Sequence, residues 1–583
     1  MVLPHLRRLL PHLGRHRGAL FFGLVSLLLT TAASVANPWV LRHVIDDLAI
    51  EVTREKLWLY AGVLLGLVVF EGVFRFLMRR VLIGMSRRLE YELRNDVFEH
   101  LTLLSPRYYQ EHRIGEVLSR ASNDMAAVRA VLGPGIMYTA NTVATFAGTV
   151  TLMLLISPRL TALALVPLAF VSFLVRHYGR QVHDRFEEVQ AQLAEMSALV
   201  QENLSGARVV RAYAQEAHEE ASFATANEEY VSRSRGLVRI TGILYPGIQF
   251  FMGVGALTVL WLGGRMVVAG AISLGEFVAF GAYLVMLHWP MIALGWVVNL
   301  FERGEASMGR INAIFDAPVE IRDEDPLDVG EIQGEVEFRS LTFGYGETKI
   351  LHDIDLKVPA GTTVAIVGPT GSGKSTLVSL IPRLWDAPPG TLLVDGNDVR
   401  RIPLGTLRGA VGFVPQESFL FSDSVRDNVA FGLRESHTER VEWAAEVAQL
   451  AGDVREFPRG FETHVGERGI TLSGGQKQRA ALARALAVDP RILVLDDTLS
   501  AVDTQTEEKI LQGLGEVMRT RTTFLVSHRV STVKSADLIV VLREGRIVER
   551  GTHDELVGLG GFYADLHRRQ LLEKQMDEGE DAA

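Results

Sequence analysis

Long apolar runs dominate the chain before residue 302 and are absent after it. A helix that crosses a bilayer needs roughly 20 mostly apolar residues at about 1.5 Å rise each. Six runs of that kind stand at 19–44, 57–83, 131–156, 159–179, 240–268 and 274–301. The clearest are AGVLLGLVVF from Ala61, TLMLLI from Thr151 and GVGALTVLWLGG from Gly253. Only Ser157, Pro158 and Arg159 separate the third run from the fourth, which predicts a tight helical hairpin. From Arg303 to Asp328 the chain turns polar and acidic. Short apolar runs then alternate with helical patterns: TTVAIVG, TLLVDG, RILVLDD, TTFLVSH and LIVVLREG. Short buried strands alternating with helices read as an α/β domain with a largely parallel sheet. The expected chain is therefore multidomain: an all-α six-helix membrane domain over 1–320, an α/β domain over 333–575 and an acidic tail over 576–583.

Arginine placement orients the membrane part. Arg79, Arg80, Arg87, Arg88 and Arg94 stand at or beyond the end of the second run, and Arg176, Arg180, Arg185, Arg208, Arg211, Arg233 and Arg235 at or beyond that of the fourth. The loop after the first run holds Asp46, Asp47, Glu51 and one arginine, and the loop after the fifth holds only Arg265. Both termini and the α/β domain are thus expected in the cytoplasm, with the helices in the cytoplasmic membrane. The two basic connections lack Gly/Pro punctuation and should extend the membrane helices into the cytoplasm. Residues 1–17 read as a basic amphipathic lead-in at the membrane surface rather than a cleaved leader. Glu71, Arg75, Asn141 and His288 are polar residues inside apolar runs, where charge is costly and usually faces the bundle interior. Glu71 and Arg75 have the i,i+4 spacing of a pair, and Trp289-Pro290 should kink the sixth helix.

Composition narrows the rest. A net charge of −10 and the lack of a long basic tract argue against a nucleic-acid partner. The chain has no cysteine, which excludes disulfides and thiolate metal sites.

Chemistry concentrates in the α/β half. Residues 368–375 match G-x-x-x-x-G-K-S, following the strand TVAIV and opening a helix at Thr376. Gly368, Thr370, Gly371, Ser372 and Gly373 would wrap phosphates with backbone N–H groups. Lys374 would neutralise the β/γ oxygens and Ser375 would ligate Mg²⁺. Asp496 ends the strand of RILVLDD, where open α/β sheets bind ligands, and is placed to hold Mg²⁺. His528 ends TTFLVSH and is placed for a γ-phosphate contact. Gln416 follows the run FVP. Ser473, Gly474, Gly475 and Gln476 open a further helix, KQRAALARALA, as a second anion-binding start.

Tyr345, GPTGSGKS, Gln416, LSGGQ, Asp496, SAVD (Ser500 to Asp503) and His528 occur in the order and spacing of an ATP-binding cassette. With six membrane runs ahead of the cassette, the chain resembles an ABC exporter half-transporter of the multidrug and antigen-peptide type over its whole length. The resemblance implies ATP and Mg²⁺, with Tyr345 stacked on adenine and Gln416 joining the metal site and sensing the membrane domain. It implies catalytic roles for His528 and for the position held by Asp497. It also implies nucleotide contacts from Ser473–Gln476 and Asp503. Thr463–Gly469 is similar to the exporter loop that meets the coupling helices, which are expected near Arg113–Arg120 and Ser205–Tyr213. The second of these reaches the partner's cassette in this family.

One position departs from the family, which places Glu after the metal-site Asp to orient the attacking water. Asp497 is one methylene shorter, a reach deficit on the order of 1 Å that can cost about 10²-fold in rate. ATP should bind here and be hydrolysed slowly. LSGGQ is intact, so the chain would complete a competent site on a partner subunit that has Glu at this position. The run LVLDDTLSAVD is similar to degenerate-site subunits of bacterial heterodimeric exporters of the TmrB and MdlA type. The expected partners are such a second half-transporter, the bilayer and a hydrophobic or amphipathic cargo of drugs, peptides or lipids. A homodimeric lipid flippase and a nucleotide-gated channel or regulator remain open alternatives. A soluble cassette ATPase acting on ribosomes or DNA is excluded, since it would carry two cassettes or no membrane runs.

Overall fold

The computed structural model describes residues 4–435, 437–466 and 469–580. The chain folds as two compact units, Met1–Thr102 with His112–Ala317 and Leu103–Glu111 with Pro318–Ala583.

The first unit contains six helices long and apolar enough to cross a membrane: Arg17–Ile50, Arg54–Leu103, Ile114–Ile156, Pro158–Ser205, Glu216–Val268 and Leu274–Phe315. Most outrun the apolar segments read from sequence because the basic connections continue the same helices. The turn between the third and fourth is as tight as expected. Ser157 is extended, and its side chain accepts from the Leu160 N–H to cap the fourth helix, which opens on Pro158. The sixth helix is interrupted at Leu287. Pro290 has no N–H to donate to the preceding turn, which places the break where Trp289-Pro290 put it.

One expectation gains detail and one is corrected. The lead-in forms short helical turns packed on other helices. His5 N donates to Glu305 Oε1 at 2.8 Å, and Leu9 is buried. The stretch Arg113–Arg120 is no free-standing coupling helix. It opens the third membrane helix, which runs on without a break through Pro134 because two π-helical turns take up the irregularity. The isolated short helix before it is Pro106–Glu111, started by its proline. The other expected connector does stand alone, as Ala207–Ala212.

Among the described residues the second unit holds ten strands: β1 Val336–Tyr345, β2 Thr348–Val358, β3 Thr363–Val367, β4 Leu392–Val394, β5 Asn397–Asp398, β6 Val411–Val414, β7 Ile492–Asp496, β8 Thr522–Val526, β9 Leu538–Arg543 and β10 Arg546–Gly551. One sheet has the order β2-β1-β4-β5 and the other β10-β9-β3-β8-β7-β6. In the second sheet β3, β6, β7, β8 and β9 are parallel, and β10 closes one edge antiparallel. β3, β7 and β8 are buried along their whole length, which is why they read as unbroken apolar runs. The antiparallel sheet of β1 and β2 lay outside the sequence reading, since its strands alternate in burial and carry bulges. The fold is a domain of six long apolar helices followed by an α/β domain with a largely parallel sheet.

Candidate functional site

Parallel order sets the site. β3, β8, β7 and β6 lie side by side, so the segments after their C-terminal ends form one row. That row brings together the glycine loop after β3, His528 after β8, Asp496 and Asp497 at the end of β7, and Gln416 after β6.

The glycine loop is held by close backbone approach. Gly368 has φ of 154°, and a Cβ there would lie 2.0 Å from the Leu542 carbonyl. Gly373 has φ of 98°, and its Cβ would meet Leu351 at 2.7 Å. Only glycine fits either place. The helix that follows, Lys374–Ser379, spans six residues, so the N–H groups of the loop rather than a long helix dipole supply the positive potential. Lys374 is buried, and its Nζ donates to the carbonyls of Gly368 and Pro369, both at 2.9 Å. Burial holds its pKa below the usual lysine range, against the pull of Asp496 and Asp497. Ser375 Oγ donates to Asp496 Oδ1 at 3.0 Å. Burial, reinforced by Asp497, pushes the Asp496 carboxyl above the ordinary carboxylate range.

These residues fit ATP and Mg²⁺. Ser372 Oγ is buried with no hydrogen-bond partner, and Lys374 uses two of its three N–H donors on its own loop. Both therefore have capacity for phosphate oxygens. The Ser375–Asp496 pair is a hydroxyl and a carboxylate in contact, the oxygen donor set that Mg²⁺ prefers. Bound Mg²⁺ would neutralise charge on the phosphates. The protein's part is to hold the phosphates in the loop and present Asp496 and Ser375.

Asp497 sits in the left-handed region at φ of 48° and is half-buried, and its N–H donates to the Val526 carbonyl at 3.0 Å. Asp tolerates that conformation better than most residues. Gln416 is exposed. Tyr345 meets Trp385 edge-on, with centroids 4.7 Å apart, and its hydroxyl donates to Thr376 Oγ1 at 3.4 Å. Beside the two rings opens a cavity of about 570 Å³, walled also by Arg107, Gln110 and Glu111 of the short helix Pro106–Glu111.

Ser473, Gly474, Gly475 and Gln476 start the helix Gly474–Ala487 through a capping box. No hydrogen bond or ion pair joins these four to the glycine loop among the described residues. Asp503 serves as an N-cap, its Oδ1 accepting from Thr506 N at 2.9 Å, and this hydrogen bond lowers its pKa. Of the loop Thr463–Gly469, residues 467 and 468 lie outside the described residues, as do residues 581–583 of the tail.

Two glutamines escaped the sequence reading. Gln478 is buried, donates to Ser500 Oγ at 3.1 Å and accepts from Ala501 N at 3.0 Å. It ties the LSGGQ helix to the SAVD loop. Gln570 Nε2 donates to the His528 carbonyl at 2.6 Å while its Oε1 accepts from Val530 N at 2.8 Å. It lies in the helix Phe562–Glu580, far along the chain from His528, and no local motif signals the contact.

Comparison with known proteins agrees with this geometry. Residues 20–291 match the family model of the ABC transporter transmembrane region, and residues 351–500 that of the ABC transporter. A Bacillus subtilis protein, the probable multidrug resistance ABC transporter ATP-binding/permease protein YheI, is 36% identical over 94% of this chain and 94% of its own. The Escherichia coli multidrug resistance-like ATP-binding protein MdlA is 34% identical over 96% of this chain and 95% of its own. A solved structure of a bacterial Atm1-family ABC exporter with ATP bound superposes with a TM-score of 0.78 at 29% identity, covering 95% of this chain and 98% of that one.

Proposed function

Because the chain belongs to the ABC transporter family, with both the exporter membrane region and the ATPase domain, we propose that it is the slow-site subunit of a heterodimeric exporter in the cytoplasmic membrane. ATP-driven export by a multi-pass membrane protein is common to that family. The finer reading concerns how the work divides. ATP binding at two interfaces draws the cassettes together, and connectors such as Ala207–Ala212 turn a cavity from inward-facing to outward-facing. Hydrolysis at the partner's site resets it. ATP must bind the closed state much more tightly than the open one to drive the cycle. In this reading Ser375, Asp496 and Gln416 hold Mg²⁺, Tyr345 contacts adenine, and His528 and Asp497 act on the γ-phosphate. Ser473–Gln476 and Asp503 serve the nucleotide of the opposite subunit. The cargo is hydrophobic or amphipathic.

The observation that carries this is Asp497 beside an intact LSGGQ. Its N–H is hydrogen-bonded to the end of β8, which holds the backbone from which the shorter side chain extends. Changing Asp497 to Asn should lower ATP turnover of the assembly less than 2-fold, roughly, while removing the partner's matching Glu should lower it about 10²-fold or more. Comparable losses from the two changes would overturn the asymmetric assignment in favour of two equivalent slow sites.

A further inference from the structure

Among the first four helices and the sixth, one cavity differs from its surroundings. It encloses about 390 Å³ between the first, second, third and sixth membrane helices, and its wall includes Arg75, Arg79, Tyr138, Asn141, Thr31 and Trp289. Arg75 and Arg79, four residues apart on one helix face and both exposed, line the same space. Like charges at that spacing weaken a helix, and charge in a membrane segment is costly. Arg75 is paired with Glu71 one turn away. Arg79 makes no ion pair or hydrogen bond among the described residues. Its neighbour Arg80 lies instead over the Phe76 ring, 6.0 Å from the centroid, and is not part of the cavity wall. The positive-inside bias explains an arginine at this end of the helix, but not two of them on the wall of one cavity.

The rest of the wall suits the same ligand. Asn141 Oδ1 accepts from Thr31 Oγ1 at 3.3 Å, which fixes the amide and leaves its two N–H donors for another group. Met78, Met137, Met286 and Trp289 supply an apolar, adaptable surface beside the charges. With Glu71 answering one arginine, the site has one uncompensated positive charge.

We infer that this cavity is a binding site for an amphiphile with an anionic head, the head on Arg79 and Arg75 with Asn141 donating and the tail against the methionines and Trp289. The inference rests on the exporter reading and narrows its cargo: a cationic amphiphile of the same size is disfavoured.

The test uses the full-length chain in neutral-lipid nanodiscs and a matched pair of dansyl probes, an undecanoate and an undecyl-amine. Binding is read from dansyl emission excited through tryptophan. The undecanoate should bind about 10-fold more tightly than the amine, a difference of the size expected of one charge-assisted contact. Arg79→Gln should remove that preference, Arg79→Lys should keep most of it, and Arg79→Glu should invert it. Equal affinities in the wild type, or an undecanoate affinity untouched by Arg79→Gln and Arg79→Glu, would overturn the inference. ATP-driven uptake of both probes into inverted vesicles separates the two levels. Uptake without charge preference sinks the site while sparing the exporter, whereas charge-selective binding with no uptake of either probe supports the site and sinks the export reading.

Discussion

Asp496 and Lys374 show how a site prepared for a ligand is unstable without it. Burial raises the carboxyl pKa and lowers that of the ammonium, so each charged form is disfavoured in the nucleotide-free cassette. For Asp496 the native state holds its proton more tightly than the unfolded chain does. Stability from this group is therefore lost as pH rises from the ordinary carboxylate range through the raised pKa, and the full cost applies above it. Asp496→Asn keeps an acceptor for Ser375 and removes the charge. The nucleotide-free variant should melt higher than the wild type at neutral pH, by about 1 kcal/mol, and the gap should shrink on acidification. The stabilisation given by Mg²⁺ with ATP should vanish in the same variant, measured as melting shifts with and without nucleotide. A gap that widened toward acid pH would contradict the burial account. Gln570 offers a second test at this scale. Gln570→Ala frees the His528 carbonyl and the Val530 N–H and, in an assembly whose partner site is inactivated at its matching Glu, should lower the remaining slow turnover by about 10-fold with KM for ATP little changed. An altered KM alone would show that the clamp serves nucleotide binding instead.

Elements differ in how openly the sequence declares them. β3, β7 and β8 are buried on both faces, so periodicity and length identify them, and the row of candidate residues at their ends follows from the parallel order. The glycine loop is equally open, since its spacing reflects contacts that exclude a side chain. Gly368→Ala would drive a methyl into the Leu542 carbonyl at a φ that L-residues avoid. It should abolish ATP binding, read by photolabelling, with the membrane helices still folded by circular dichroism. The short connector before the third membrane helix was harder to place. Arg113–Arg120 has the composition of a surface helix, and only the continuity of backbone hydrogen bonds through Pro134 assigns it to the long helix. Pro106 was the available signal, being a residue that starts helices more often than it interrupts them. Gln478 and Gln570 were illegible for another reason. Each acts on a loop brought near by tertiary folding, and a glutamine on a helix looks like any solvated residue.

At the scale of the whole molecule the chain is unfinished alone. None of the apolar window of the second membrane helix is buried within the chain, against 44% of that in the sixth. Lipid satisfies such a surface, but water does not satisfy the apolar side chains on the cytoplasmic connector. Leu204, Val209 and Tyr213 around Ala207–Ala212 are 75%, 61% and 74% exposed, and no residue of that short helix is buried. A helix of six residues has little stability of its own, and apolar groups gathered on one are the usual mark of a docking surface. ABC exporters act as dimers, and the proposed cycle requires force to pass from a cassette to this connector. The absence of native cysteine makes the contact directly measurable. Val209→Cys should crosslink to a cysteine introduced on the second subunit's cassette in the purified assembly, and Tyr213→Ala should leave ATP turnover within about 2-fold while reducing transport about 10-fold. If Tyr213→Ala lowered hydrolysis and transport in equal proportion, the connector would be part of the catalytic machinery and not the element that joins it to the membrane.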